Sequence, residues 1–403
     1  MSTLIDRFLR YVKIDTQSDH ESNTFPSTEK QKDLSKLLVL ELKEMGLDAF
    51  LDKDGYVYAK IEKNVDGKKA IGFIAHVDTS PDAPGKNINP RIIKNYDGSL
   101  IKLNDELSMH PNAYSSLNKV IGEDIIVTDG HTLLGADDKC GVAEIMELAL
   151  YYTTHKDIKH GDIYICFTPD EEIGKGADRF DFNFFKADFA YTADGSEVGG
   201  IEYENFNAAT VNLNFVGKSI HPGSAKNKLI NASHVAFEFH QMLPKFLDPA
   251  ITEKYEGFNH LTQIQGQVEH AHAQYIVRNH DKKRFKKQKD DFIKIANYLN
   301  DTYGYQVVTV DIKDSYYNMY DIIKDHMYVI DLAKQATLNQ GVEPKIEPIR
   351  GGTDGARLTY DGLICPNLGT GGYQFHGRLE FASIQQMEKA VEIYKEIIKL
   401  NAE

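Results

Sequence analysis

The chain has 403 residues, of which 41% are apolar and 26% charged, and its formal net charge is −14. The composition excludes a disordered chain, a collagen-like fibre and a coiled coil, and the length predicts two domains. The acidic balance argues against nucleic acid or an anionic membrane as partner, since both are bound by clustered Lys and Arg.

At the N-terminus, Leu4, Phe8, Leu9 and Val12 recur at helical spacing. Asp6, Arg7 and Arg10 interrupt any apolar run there, so neither a signal peptide nor a membrane span is expected. Thr28 and Gln31 form a capping-box pattern ahead of Leu34, Leu37, Leu38 and Met45, and Gly46 reads as the stop. Residues 71–77, 163–167 and 189–193 are short apolar runs that predict buried strands. A helix over 139–152 carries Val142, Ile145, Met146 and Ala149 on one face. Strands alternating with helices predict an α/β domain, a mixed or parallel sheet with helices on both faces.

The pattern changes near residue 208. A half-exposed strand at 209–216 is followed by a helix at 232–242, a strand at 274–278, a charged helix at 282–299 and a strand at 306–312. This β-α-β-α-β order predicts an inserted α+β domain of the ferredoxin-like kind over 209–319. The α/β pattern resumes near Tyr320 and closes with a helix bearing Ile384, Met387, Val391 and Ile397. Residues 1–208 and 320–403 thus form one discontinuous domain carrying an insertion. The basic run at 282–289 reads as a solvated helix face, because Asp281, Asp290 and Asp291 accompany it. Cys140, Cys166 and Cys365 are too widely spaced for a disulfide framework, and a cytoplasmic protein is expected. Cys140, near a helix start, reads as a packing residue.

The chemistry-bearing residues gather just after buried strands. His76 and Asp78 follow the run at 71–75, Glu171 and Glu172 follow 163–167, and Asp194 follows 189–193. Asp137 and Asp138 follow Leu133 and Leu134 and lead into a helix. Taken singly, each has an ordinary explanation as a turn, an N-cap or a hydrogen-bonded surface pair. Together they lie where open α/β sheets bind ligands, at the carboxyl ends of the strands. So many carboxylates and an imidazole at one edge repel or stay unpaired unless a cation joins them. His376, in a Gly-rich loop, adds a further candidate ligand. His260, His270 and His272 offer a rival metal site, but read as surface histidines because only Glu269 accompanies them. The Gly-rich segment 350–355 lacks the ending of a phosphate loop.

The strings HVDTSPD, LLGADDKCGVAEIM, TPDEEIGKGA, KSIHPGSAK, RGGTDGAR and GGYQFHG occur in the order found in the M20 metallopeptidases. Over nearly its whole length the chain resembles that family. Longer strings (IEYENFNAA, EPIRGGTDGAR, KDSYYNM) resemble its tripeptide aminopeptidases. The resemblance implies two zinc ions per subunit. His76 and Asp194 would hold one, Glu172 and His376 the other, and Asp137 would bridge them; spacing alone leaves Asp137 and Asp138 open. It implies Glu171 as general base and Asp78 as the carboxylate orienting His76. It makes the inserted domain a lid, with His221 near the scissile carbonyl oxygen. Arg278, Arg350 and Asn205 would contact substrate. It implies a peptide substrate, tripeptides in particular, and allows a homodimer. Cys140 stands where a small residue such as Ala is usual. A dipeptidase, carboxypeptidase or N-acyl amino acid deacylase would use the same metal residues. A non-catalytic metal-binding scaffold would need neither Glu171 nor Asp78.

Overall fold

The computed structural model describes residues 3–403; Met1 and Ser2, where the first predicted helix begins, lie outside the described residues. Two compact units share the chain. The first comprises the chain up to Tyr203, Ile322–Glu347 and Thr353–Glu403; the second comprises Glu204–Asp321 and Pro348–Gly352. Pro348–Gly352, expected in the first domain, packs with the second.

In the first unit, the described residues build a seven-stranded sheet. Its spatial order is Phe50–Leu51, Val57–Ile61, Ile163–Thr168, Ile71–His76, Phe189–Gly195, Asn367–Gly369 and Ile201–Glu202. The strand Ile71–His76 runs parallel to both neighbours, and Asn367–Gly369 runs parallel to Phe189–Gly195. The outer pairs are antiparallel. A strand buried on both faces needs apolar side chains at every position. That is why 71–75 and 163–167 read as unbroken apolar runs, and the strands that contain them are buried throughout.

The helix Ala136–Thr154 crosses this sheet at very short range. A Cβ on Gly141 would sit 1.8 Å from the Ala193 carbonyl oxygen, so only glycine permits the approach. The closing helix Ile384–Ala402 buries Ile384, Met387, Val391 and Ile397, the predicted face. A second sheet of Gly372–Tyr373, Phe381–Ser383, Ile125–Val127 and Arg91–Ile93 was not legible. Its strands have two or three residues, too short to display a period.

The predicted capping box does not form. The helix Gln31–Glu44 starts at Lys30 without a side-chain cap. Gln31 instead donates its amide to Asp170 at 2.6 Å, and Thr28 donates its hydroxyl to the Gln17 carbonyl. Asp170 also accepts the Ser27 N–H at 2.6 Å and is fully buried. A helix terminus was thus given up to hold the turn that precedes Glu171.

The second unit is a four-stranded antiparallel sheet in the order Phe258–Gly266, His270–Asn279, Asn207–Val216, Val308–Tyr316. Helices Ala232–Met242 and Lys282–Tyr303 cover one face, where Phe239, Phe292 and Leu299 pack with Val211, Leu213, Phe215, Tyr275 and Val277. The order is β-α-β-β-α-β, one strand more than the sequence predicts. The added strand, FNHLTQIQG, lies at the sheet edge and is mostly exposed, so it needs no apolar alternation. The basic run is the outer face of a helix, with Lys286 and Lys287 paired to Asp290 and Asp291 at 2.7 and 2.8 Å.

Among the described residues no helix is long and apolar enough to cross a membrane. Cys140, Cys166 and Cys365 are all buried and free. Burial pushes the Cys140 thiol well above its ordinary range, then the negative field of Glu144 adds to it. We expect a thiol reagent to titrate none of the three in the native protein and all of them after denaturation. Rapid native reaction of Cys140 would contradict that burial.

Candidate metal centre

All the residues of this cluster lie in the first unit. His76 ends its strand at 2% exposure. Its Nε2 is 2.9 Å from Asp137 Oδ1 and 3.4 Å from Asp194 Oδ1. Its Nδ1 faces Asp78, 3.3 Å from Oδ1 and 3.1 Å from the carbonyl oxygen. That contact fixes the ring's orientation and leaves Nε2 to face the cluster.

His376 lies on the Gly-rich loop in the left-handed region, at φ 62°. For a residue with a Cβ this costs about 1 kcal/mol, the kind of local strain that collects at working sites. Its Nε2 is 3.2 Å from Asp137 Oδ2 and 2.9 Å from Glu172 Oε2.

Asp137 therefore faces both imidazoles, one through each oxygen. The backbone at Asp137 and Asp138 is non-helical, with ψ of 106° and 32°. The two adjacent carboxylates consequently diverge. Asp138 turns inward and accepts the His76 N–H at 3.1 Å. Sequence spacing left these two open; the geometry gives Asp137 the shared position.

Two groups of ligand atoms result: His76, Asp137 and Asp194, and Asp137, Glu172 and His376. Within each, the atoms lie within 4.8 Å of one another. His260, His270 and His272 join no such group among the described residues.

The electrostatics fit cations at this place. Burial, then the Asp137 charge, pushes the Glu172 carboxyl up to about 8. Burial raises Asp194 to about 6. Burial opposes the charge on Asp137 as well, but the two imidazoles hold its carboxyl well below the usual range. Hydrogen bonds to Asp137 and Glu172 raise His376 to about 11. Glu172 Oε1 is buried with no hydrogen-bond partner. A buried oxygen is rarely left so, and a cation there satisfies it. Imidazole nitrogens with carboxylate oxygens suit zinc, and also other divalent metals.

Glu171 stands beside the cluster and belongs to neither group. Burial, then the Asp194 charge, raises its carboxyl well above the ordinary range. Its backbone N–H and that of Glu172 donate to the two oxygens of Asp78, at 3.0 and 3.2 Å. Asp78 thereby holds both the His76 ring and the turn that carries the two glutamates.

Glu380 went unnoticed in the sequence. It accepts the N–H groups of Leu134 and Gly135 at 2.7 Å and of Asp137 at 3.0 Å. It thus ties the end of the His376 loop to the segment carrying Asp137. Its only sequence signal was its place four residues after His376. Glu380→Ala would strand three buried N–H groups, at about 1–3 kcal/mol each. We expect metal affinity to fall about 10–100-fold in chelator competition. Unchanged affinity would show that the loop holds itself.

The remaining predicted residues lie in the second unit. His221 is exposed and caps the turn Pro222–Ser224, its Nδ1 accepting the Gly223 N–H at 3.1 Å. Arg278 donates to the carbonyls of Val277 and Ala209 at 3.0 and 3.3 Å. Arg350 donates to the carbonyls of Lys254 and Glu256 at 2.9 and 2.8 Å and to the Thr252 hydroxyl. Asn205 is a correction. It is fully buried, donates both amide hydrogens to the carbonyls of Phe206 and Tyr317, and accepts the Met319 N–H. Its side chain braces backbone and is not available to substrate.

A family model described as a peptidase dimerisation domain matches residues 203–304. Peptidase T of Clostridium perfringens (strain SM101 / Type A) is 51% identical over 405 residues, covering 100% of both chains. Peptidase T of Clostridium acetobutylicum is 50% identical over 410 residues, again 100% of both. Among solved structures, aminopeptidase PepT from Bacillus cereus superposes with a TM-score of 0.78 at 24% identity, over 100% of this chain and 98% of that one. A dinuclear metal-binding peptidase of the M20 family from Bacillus subtilis gives 0.67 at 15% identity, over 98% and 96%. These two share the fold. With half its residues identical to its relatives from end to end, the chain belongs to the peptidase T family of the M20 metallopeptidases.

Proposed function

We propose that this chain, a peptidase by its family, releases the N-terminal residue of tripeptides with two zinc ions. His76 and Asp194 would hold one ion, Glu172 and His376 the other, and Asp137 would serve both. The observation that carries the reading is the pair of ligand groups joined at Asp137, with Glu171 beside them and in neither. When bound, two ions polarise the scissile carbonyl and lower the pKa of water. Glu171 takes the proton of the attacking water and returns it to the departing amine nitrogen. Burial favours this role, because a carboxylate with a raised pKa is a better proton acceptor. Asp78 is a positioning residue, holding His76 and the Glu171 turn together.

For the second unit the support is the motif order and residue chemistry alone. His221 is proposed as donor to the carbonyl oxygen. Arg278 and Arg350 are proposed for the peptide's carboxylate, a fit for planar guanidinium groups. A homodimer through 203–304 is proposed from the dimerisation model matched there.

A product assay tests the reading. Zinc-loaded protein is offered a free tripeptide, its N-acetylated form and the matching dipeptide, and the products are identified by mass. Release of the N-terminal residue from the free tripeptide alone is expected. Release of the C-terminal residue, or cleavage of the acylated peptide or the dipeptide instead, would move the chain to another M20 activity. No turnover with zinc bound would favour the scaffold.

A further inference from the structure

Glu202 is an acidic side chain that the mechanism above does not use. It lies on the edge strand Ile201–Glu202, directly opposite Asn367, which in turn lies opposite Thr192. Residues opposite one another across strands share a face, and so do residues two apart along one strand. Glu202 therefore stands on the same face as Thr192, two strands away, and Thr192 is two residues before Asp194, where the strand carries a bulge.

Its neighbour is held for it. The Asn367 carbonyl oxygen accepts the hydroxyls of Thr192 and of Thr353, the latter at 3.1 Å. With the oxygen so committed, the Asn367 amide nitrogen must turn the other way. It donates to Glu202 Oε2 at 3.5 Å. Among the described residues, no Lys, Arg or His forms an ion pair with Glu202, although the side chain is half-buried. Burial, then the charges of Asp194 and Glu347, pushes its carboxyl up to about 7. A cation alongside would reverse that cost.

The reaction supplies such a cation. The inference rests on the aminopeptidase reading: a free tripeptide brings its α-ammonium within one residue of the scissile bond. The carboxylates of Asp137, Asp194, Glu172 and Glu171 together match the charge of two divalent ions, while Asp78, Asp138 and Asp354 are taken up by the His76 ring, the backbone and the Thr168 hydroxyl. One more carboxylate is needed, close by and without a cation of its own. We infer that Glu202, aimed by Asn367, receives the α-ammonium of the substrate and so restricts the enzyme to unblocked N-termini. Glu202 is thus a specificity residue, and Asn367 with Thr192 and Thr353 position it.

The test compares a free tripeptide with its des-amino analogue, which lacks only the ammonium. The ratio of their kcat/KM values is measured for wild type and for Glu202→Gln, with metal content and melting temperature as controls. Equilibrium binding of both peptides to zinc-loaded Glu171→Ala protein, with and without Glu202→Gln, gives a readout independent of turnover. The wild type is expected to favour the free peptide strongly, and Glu202→Gln to lower that preference about 100-fold in both measurements. A preference retained by Glu202→Gln would overturn the role of Glu202 and leave the aminopeptidase reading standing. No preference in the wild type would overturn both. Should Glu202→Gln not fold, Glu202→Asp decides. Shortening the arm by one methylene is expected to cut the preference about tenfold, and an unchanged preference would overturn the inference.

Discussion

Replacing Glu171 by alanine is expected to leave both metal ions bound while turnover falls by about three to four orders of magnitude. The expectation follows from where the side chain is and what it does not touch. Its neighbour Glu172 faces His376 at 2.9 Å, whereas Glu171 joins neither ligand group. What Glu171 contributes to the frame is its backbone N–H, given to Asp78, and alanine keeps that group. The loss should therefore appear in kcat at unchanged metal stoichiometry. A variant near wild-type rate would remove Glu171 as the base. Loss of metal together with rate would make it a ligand.

The second large effect is expected at Asp137. Each of its oxygens faces a different histidine, so Asp137→Ala removes a ligand from both groups at once. His376→Ala removes a ligand from one group only. The two variants should separate in elemental analysis. Asp137→Ala is expected to lose both ions under mild chelation and to lose activity with them. His376→Ala is expected to retain the ion held by His76 and Asp194. The alanine also leaves Glu172 without the imidazole that faces it at 2.9 Å. Equal metal loss in the two variants would argue that the ions bind independently of a shared carboxylate.

How much of this could be read in the sequence depended on whether a residue's partners were side chains or backbone. His76, Glu172 and Asp194 were legible because each ends or follows a strand that must be apolar to be buried; Asp137 follows Leu133 and Leu134, which are buried but, against expectation, belong to no strand. The sheet that enforces that pattern also brings the ends of its strands together. His376 had no such strand before it, and only the motif order pointed to it. Glu380 and Asp170 were invisible for a different reason. Both accept backbone N–H groups from segments distant in sequence, and a backbone donor leaves no mark on residue type. The same blindness produced the error at Thr28 and Gln31. Their spacing fits a cap, but Asp170 offers Gln31 a buried charged acceptor. Asn205 failed similarly, since an amide in a motif looks the same whether it meets a ligand or three backbone groups. The edge strand Phe258–Gly266 was missed because exposure relieved it of the alternation by which strands are found.

The proposed chemistry turns on two ions that sit in one cluster and share Asp137. Anomalous diffraction at the zinc edge from crystals of the zinc-loaded protein tests it most directly. Two peaks are expected, one by His76 and Asp194 and one by Glu172 and His376, with Asp137 between them. A single peak, a pair bridged by Asp138, or zinc bound at His270 and His272 instead would contradict it.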